Sequence, residues 1–436
     1  MRPLSLRGKC EILPPMLPDE PRARARYLTV LGLILCAGFF LRLPASFFTG
    51  DAAPLGFARV VHPVPGFQGV GFDENLYRGY VDNLIRYGVT AYPDFAERYV
   101  ELQTALPSAI LPPTRFLYVF AAYLWHSVFG ADGLTSLHNI SSLFSILMLG
   151  LTTVFAWRIA GLRIATVVAA LMACAPTQIH MSQHALIDGF FAFWATLCLW
   201  LLWENLQRPN DWRWLAALGG ALALLVLAKE NAMFAYIGFL GLLALNRWVR
   251  FGQITRFLLA AMFVGPLLGV ALLVALCGGL PMTVRIYLLL VSKASVLPYA
   301  IATGDGPWYR YLVDLMVMSP VVLVLAIGGM FALKIADKAA LYLLGFVAAS
   351  YVLMANVRYG MNLRYTNMWD LPLRYLATLC LTNVSEAFGR RATLALSLCI
   401  ALICVIELRQ YLVFFVEHDL YELATNGLLR AVKILK

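Results

Sequence analysis

Apolar residues run through this chain in long stretches, without the strict alternation of a half-buried strand or the narrow stripe of a surface helix. Eleven such stretches lie at roughly 27–48, 134–157, 163–181, 187–206, 212–228, 231–247, 254–277, 313–333, 339–356, 371–388 and 392–413. A helix of about 17–25 apolar residues crosses a bilayer. The pattern therefore predicts an all-α polytopic membrane protein with about eleven transmembrane helices. Basic residues collect in the short gaps, as Arg158/Arg163, Arg208/Arg213, Arg247/Arg250/Arg256, Lys334/Lys338 and Arg390/Arg391. The positive-inside rule assigns these gaps to the cytoplasm. Arg22, Arg24 and Arg26 place the N-terminal segment, 1–26, on the same side. Eleven crossings satisfy that sidedness. A further apolar run at about 110–129 breaks the alternation if it crosses. Its prolines, Arg115, His126 and aromatics suit a helix lying at the outer surface.

The polar remainder then faces outward. It comprises a large first extracytoplasmic loop with juxtamembrane helices (49–133), a second loop (278–312), a third at about 357–370, and a short tail (414–436). No segment is long enough for a second soluble domain, so 1–436 reads as a single transmembrane unit.

Composition agrees with the pattern. The chain of 436 residues is 61% apolar and 13% charged, about half the charge density of a soluble domain. Its net charge of +10 suits cytoplasmic loops meeting anionic membrane lipids, and nucleic acid is not expected as a partner. Seven of the eight cysteines lie in apolar stretches and there is no CxxC pair, so a zinc or redox site is not expected.

Three groups of residues stand out as candidate chemistry. Asp73-Glu74 in the first outer loop is a pair of adjacent carboxylates, followed at Tyr77 by an aromatic residue. Such a pair can serve as an acid/base centre. It can also simply favour the first turn of a helix. His180, His184 and Asp188 are spaced i, i+4, i+8, which on a continuous helix places them on one face. The third group is cationic: Arg42, Lys229, Arg285, Lys293, Arg310, Arg358 and Arg364, with Lys229–Glu230 as an internal pair. Cations on the side that the positive-inside rule disfavours need a reason, and a bound lipid phosphate is one. The chain contains no Walker loop and no dinucleotide fingerprint.

Taken in order, these motifs resemble the GT-C superfamily of integral-membrane glycosyltransferases, in the branch of the protein O-mannosyltransferases and the lipid A aminoarabinose and galacturonic acid transferases. The resemblance runs from Arg42 to about Pro372. It rests on Arg42 ending the first span, on Asp73-Glu74-Asn75-Leu76-Tyr77, on Pro112-Pro113 through Phe129-Gly130, and on Arg158-Ile159-Ala160-Gly161. It continues with Ala185-Leu186-Ile187-Asp188, Gly306-Pro307-Trp308-Tyr309 and Arg364-Tyr365 with Pro372. Leu111 stands where the aminoarabinose branch often has a basic residue, and His184 where an arginine is common.

The resemblance implies transfer of a sugar from a polyprenyl-phosphate donor to an acceptor hydroxyl, with inversion, at the outer face of the plasma (inner) membrane. It implies Asp73 as general base, with Glu74 and Asp188 as further catalytic carboxylates. His184, Tyr77 and Tyr365 are expected to line the substrate cavity. Arg364, Arg310, Lys293, Arg285 and Arg42 are the candidate phosphate ligands, in that order. The acceptor is a lipid, a glycan or a protein. No cofactor is expected, although Asp73 and Asp188 permit a divalent metal, and the protein is expected to be a monomer. The alternative reading is a transporter or flippase of an anionic prenyl-phosphate lipid. Its charges would lie near mid-membrane.

Overall fold

The computed structural model describes residues 21–44, 70–107, 109–294, 296–297, 300–301, 304–357 and 361–435. Residues 1–20, residues 45–69 (the end of the first apolar stretch and the start of the first outer loop), and Arg358 lie outside the described residues.

Every secondary-structure element among the described residues is a helix. The chain begins with α1 (Pro21–Phe40), α2 (Phe72–Tyr87), α3 (Tyr92–Ala105), α4 (Phe116–Phe129), α5 (Gly133–Ala173) and α6 (Pro176–Gln183). The middle comprises α7 (Ile187–Gln207), α8 (Trp212–Ala228), α9 (Ala232–Val249), α10 (Arg256–Leu276) and α11 (Leu280–Ala294). The last third holds α12 (Arg310–Met318), α13 (Pro320–Phe331), α14 (Lys338–Met354), α15 (Asp370–Glu386), α16 (Ala392–Tyr411) and α17 (Thr425–Ala431).

Each of the eleven apolar stretches has a helical counterpart, and the boundaries follow local chemistry. Asp132 caps α5 by accepting from the backbone N–H of Leu134 and Thr135. Gly161, at φ 83°, interrupts α5 in a conformation that only glycine adopts freely, so this one element contains two of the stretches. The stretch at 313–333 divides into α12 and α13 where Pro320 follows Ser319. Among the described residues, five helices are long and apolar enough to cross a membrane by length and composition: Gly133–Ala173, Ile187–Gln207, Ala232–Val249, Arg256–Leu276 and Gly389–Glu417. The run at 110–129 contains only the 14-residue α4, which packs on α5.

Close helix pairs depend on small residues, as expected where lipid supplies no hydrophobic drive between helices. At Gly265 and Gly269 of α10, an added Cβ would lie 2.6 Å from the carbonyl oxygens of Gly219 and Ala223 on α8. A buried polar strut ties α5, α6, α15 and α16 together. Arg374 donates to Leu171 O (3.0 Å), Asp370 Oδ1 (2.7 Å) and Glu407 Oε2 (2.7 Å). Gln178 of α6 donates to Asp370 Oδ2 (2.6 Å), and Ser319 to Glu407 Oε2 (2.9 Å). This strut fixes α6, whose far end opens into the candidate site.

Candidate active site

The site forms where α2, α6 and α7 meet the turns before α9 and α15. Helix α7 has Asp188 in its first turn and Glu204 in its last. These acids lie about 24 Å apart along the axis, at 1.5 Å per residue. Glu204 pairs with Arg158 at 2.9 Å and with Arg208 at 3.7 Å. The acids at 73, 74 and 188 thus gather at the end of the bundle away from the basic turns.

Glu74 is the anchor. Its side chain is 3% exposed and every oxygen is engaged. Oε2 accepts from Gly71 N–H at 2.7 Å, closing the first turn of α2 on itself. Oε1 accepts from Ala185 N–H at 2.7 Å and faces His184 Nδ1 at 3.3 Å and His138 Nε2 at 3.6 Å. Burial raises the pKa of the carboxyl. The hydrogen bond from His184, the charges of His184 and His138, and the Gly71 N–H outweigh that burial and hold it at about 2. Glu74 therefore clamps the start of α2 to the segment that leads into α7.

Asp73 and Asp188 are joined by one guanidinium. Arg364 Nη2 lies 3.0 Å from Asp73 Oδ2, and Arg364 Nε lies 3.5 Å from Asp188 Oδ2. Its third nitrogen, Nη1, lies 3.2 Å from Glu422 Oε1. Burial disfavours the charge on Arg364, but Glu422, Asp73 and Asp188 overcome it and hold the group firmly protonated. Nε and Nη1 nonetheless meet these carboxylates outside hydrogen-bond geometry. Lys229 donates to Asp188 Oδ1 and sits 4.2 Å from the centre of the Tyr365 ring. Arg115 grips Glu230 with two nitrogens and donates to Tyr77 OH at 2.6 Å.

The sequence-predicted residues divide into two sets. Asp73, Glu74, Asp188, His184, Tyr77, Arg364 and Tyr365 come together. Four cations do not join them. Arg42, 1% exposed, donates to Gly38 O, Ala173 O, Met172 O and Ser145 Oγ, so it closes helix ends. Arg310 donates to Thr425 Oγ1 (2.8 Å) and to Asp305 O. Lys293 donates to Leu106 O at 2.7 Å, and Arg285 is exposed.

Two expectations are corrected. His180, His184 and Asp188 do not share a helical face, because the backbone is extended at His184 (φ −121°, ψ 153°) and at Leu186 (φ −108°, ψ 134°). His180 is instead buried against Phe415, with its ring stacked at 4.0 Å. Lys229 and Glu230 are not a pair with each other, since neighbouring side chains diverge. Each binds a partner from another element.

The sequence reasoning missed His138 and Glu422, and did not assign Arg115 to the site. A divalent ion is a poor fit between Asp73 and Asp188, where Arg364 already bridges the carboxylates. Among the described residues, no group of three or more His, Cys, Asp or Glu side chains is arranged to hold a metal.

The arrangement of helices is similar to that in solved structures of ArnT and of an archaeal oligosaccharyltransferase. Residues 110–294 match the family model described as dolichyl-phosphate-mannose-protein mannosyltransferase. ArnT from Cupriavidus metallidurans, in its apo state, superposes at a TM-score of 0.53 with 14% identity, over 94% of this chain and 76% of its own. The Archaeoglobus fulgidus oligosaccharyltransferase in its apo form gives a TM-score of 0.58 at 14% identity, over 88% of this chain and 55% of its own. AglB of the same organism, in complex with an inhibitory peptide and a dolichol-phosphate, gives 0.57 at 13% identity, over 90% of this chain and 56% of its own. The chain thus spans only about half the length of the oligosaccharyltransferase. No curated protein sequence matches it.

Proposed function

We propose that this protein moves a sugar from a polyprenyl-phosphate donor to an acceptor hydroxyl, by single displacement with inversion, on the outer face of the plasma membrane. The observation that carries the reading is Arg364. It is a buried guanidinium set between Asp73 and Asp188, whose Nε and Nη1 meet carboxylate oxygens only as ion pairs, outside hydrogen-bond geometry. A lipid phosphate supplies hydrogen-bond acceptors, and planar guanidinium forks suit phosphate oxygens. The family model matched over 110–294 names a dolichyl-phosphate sugar, and AglB is solved with a dolichol-phosphate. Both support this class of donor.

Asp73 is the general base in this reading. Its side chain is 12% exposed, against 3% for Glu74 and 2% for Asp188. Of the three carboxylates at the start of α2 and α7 it is the most open to an acceptor. In the step, Asp73 takes the proton of the acceptor hydroxyl as that oxygen bonds to the anomeric carbon. The bond from that carbon to the phosphate oxygen breaks, and its electron pair leaves with the prenyl phosphate. Positive charge builds on the sugar as this happens. Asp73, Glu74, Asp188, Glu230 and Glu422 outnumber Arg364, Lys229 and Arg115 by two, so the site favours that charge. Arg364 and Lys229 stabilise the departing phosphate. Glu74 holds the frame and does not touch substrate, because its oxygens are occupied.

The test is sugar transfer by purified protein in lipid, from a panel of radiolabelled polyprenyl-phosphate sugars, with membrane extract as acceptor source. Transfer from at least one donor is expected. Binding of a donor with no turnover in any extract contradicts the reading and favours lipid transport.

A further inference from the structure

The proposed reaction gives Glu422 no role beyond its share of the site's negative charge. This acid comes from the non-helical segment 418–424, which follows the π-helical stretch Leu412–Glu417 at the end of α16. Besides facing Arg364, its carboxylate accepts from Asn362 Nδ2 at 2.8 Å. The segment is fastened to the site around it. Leu363 N–H donates to Leu423 O at 3.4 Å, and Arg310 Nε donates to Thr425 Oγ1 at 2.8 Å. His180 Nε2 lies 3.2 Å from Tyr421 O.

Three carboxylates therefore share Arg364, and they are not equivalent. Asp73 and Asp188 stand on helices α2 and α7, and Asp188 is also held by Lys229. Glu422 stands on irregular chain, and its side chain is the most exposed of the three, at 22% against 12% and 2%. It is the carboxylate that can withdraw when another anion arrives.

We propose that Glu422 competes with the lipid phosphate for Arg364, so that this subsite accepts the phosphodiester of the donor and disfavours the phosphomonoester of the product. The inference rests on the reading of Arg364 as phosphate ligand. A prenyl-phosphate sugar is a diester with a single negative charge. The prenyl phosphate left after transfer carries about −1.5 to −2 at pH 7. A carboxylate that stays near the guanidinium, even after it has yielded its place, repels the second species more strongly than the first. Glu422 is thus a selectivity residue that promotes release of the spent lipid.

The test uses the full chain in lipid nanodiscs, titrated with geranylgeranyl phosphate and with its methyl ester, which differ in charge and by a single methyl group. Glu422→Gln is expected to tighten binding of the monoester by roughly tenfold and of the methyl ester by clearly less, since like-charge repulsion scales with ligand charge. Glu422→Ala removes the same charge and is expected to shift both constants in the same order. Monoester affinity unchanged in both variants, or an equal gain for both ligands, overturns the inference. Arg364→Gln is measured alongside. If it binds the monoester as wild type does, the phosphate reading of Arg364 fails. If it loses binding while the Glu422 variants stay at wild type, only the role of Glu422 fails.

Discussion

Arg364 Nη2 lies 3.0 Å from Asp73 Oδ2. That ion pair links the proposed base to the proposed ligand of the leaving group. In the proposed reaction the two groups act on opposite ends of one displacement, and their ion pair fixes the distance between them. The guanidinium fork also reaches Asp188, so one side chain sets the geometry of both aspartates.

Arg364→Lys tests that bridging. An ammonium keeps the charge but cannot span Asp73, Asp188 and a phosphate together. Transfer measured as kcat/KM is expected to fall on the order of 10²–10³-fold, as when one preorganised donor is removed from a transition state. A change within about twofold contradicts the role, provided the variant unfolds at the wild-type temperature.

Glu74→Gln tests the clamp. Each oxygen now accepts from a backbone N–H, so an amide NH₂ must face one of two donors. The expected cost is about 1–3 kcal/mol of stability, read from thermal unfolding in detergent. A variant that keeps its stability and loses only turnover would assign Glu74 to the chemistry instead.

The same clamp has a pH signature. Glu74 is held at about 2, below its free value of 4.5. A depressed carboxylate stabilises the folded state above its unfolded pKa, and that stability is lost as pH falls through the folded one. Wild type should lose stability between pH 4.5 and 2 more steeply than Glu74→Gln. Parallel curves over that window would show that the network around Glu74 contributes nothing.

Gly71→Ala tests the seating of segment 418–424. A Cβ at Gly71 would lie 2.4 Å from ring carbons of Tyr421, closer than any real contact. Forced overpacking of this kind costs about 1–3 kcal/mol. The double variant Gly71→Ala with Tyr421→Ala removes the obstacle and is expected to recover most of the unfolding temperature lost by the single change.

The acids of the site were legible because their signals are local. Asp73-Glu74 opens a helix, and Asp188 heads another beside an irregular turn. Arg364 was legible as a cation with no cytoplasmic excuse, but that argument also selected Arg42, Arg310, Lys293 and Arg285. Sidedness alone cannot separate a phosphate ligand from a cation that binds backbone carbonyls, as Arg42 does at Met172 and Ala173. The His180–His184–Asp188 spacing failed because it assumed a continuous helix, whereas the chain is extended at His184. The Lys229–Glu230 error was avoidable, since adjacent residues do not face each other. His138 and Glu422 had no signal at all. Each meets its partner from far along the chain, as Glu422 does across 58 residues to Arg364.

The proposed reaction turns on Asp73 taking the acceptor's proton. The most direct measurement compares wild type and Asp73→Asn in the transfer assay, with donor binding measured in parallel. Asparagine keeps the shape of the side chain and removes its basicity. Donor is expected still to bind, and transfer to fall by at least about 10²-fold, the contribution typical of a positioned base. Equal transfer by the two proteins would remove Asp73 from the mechanism.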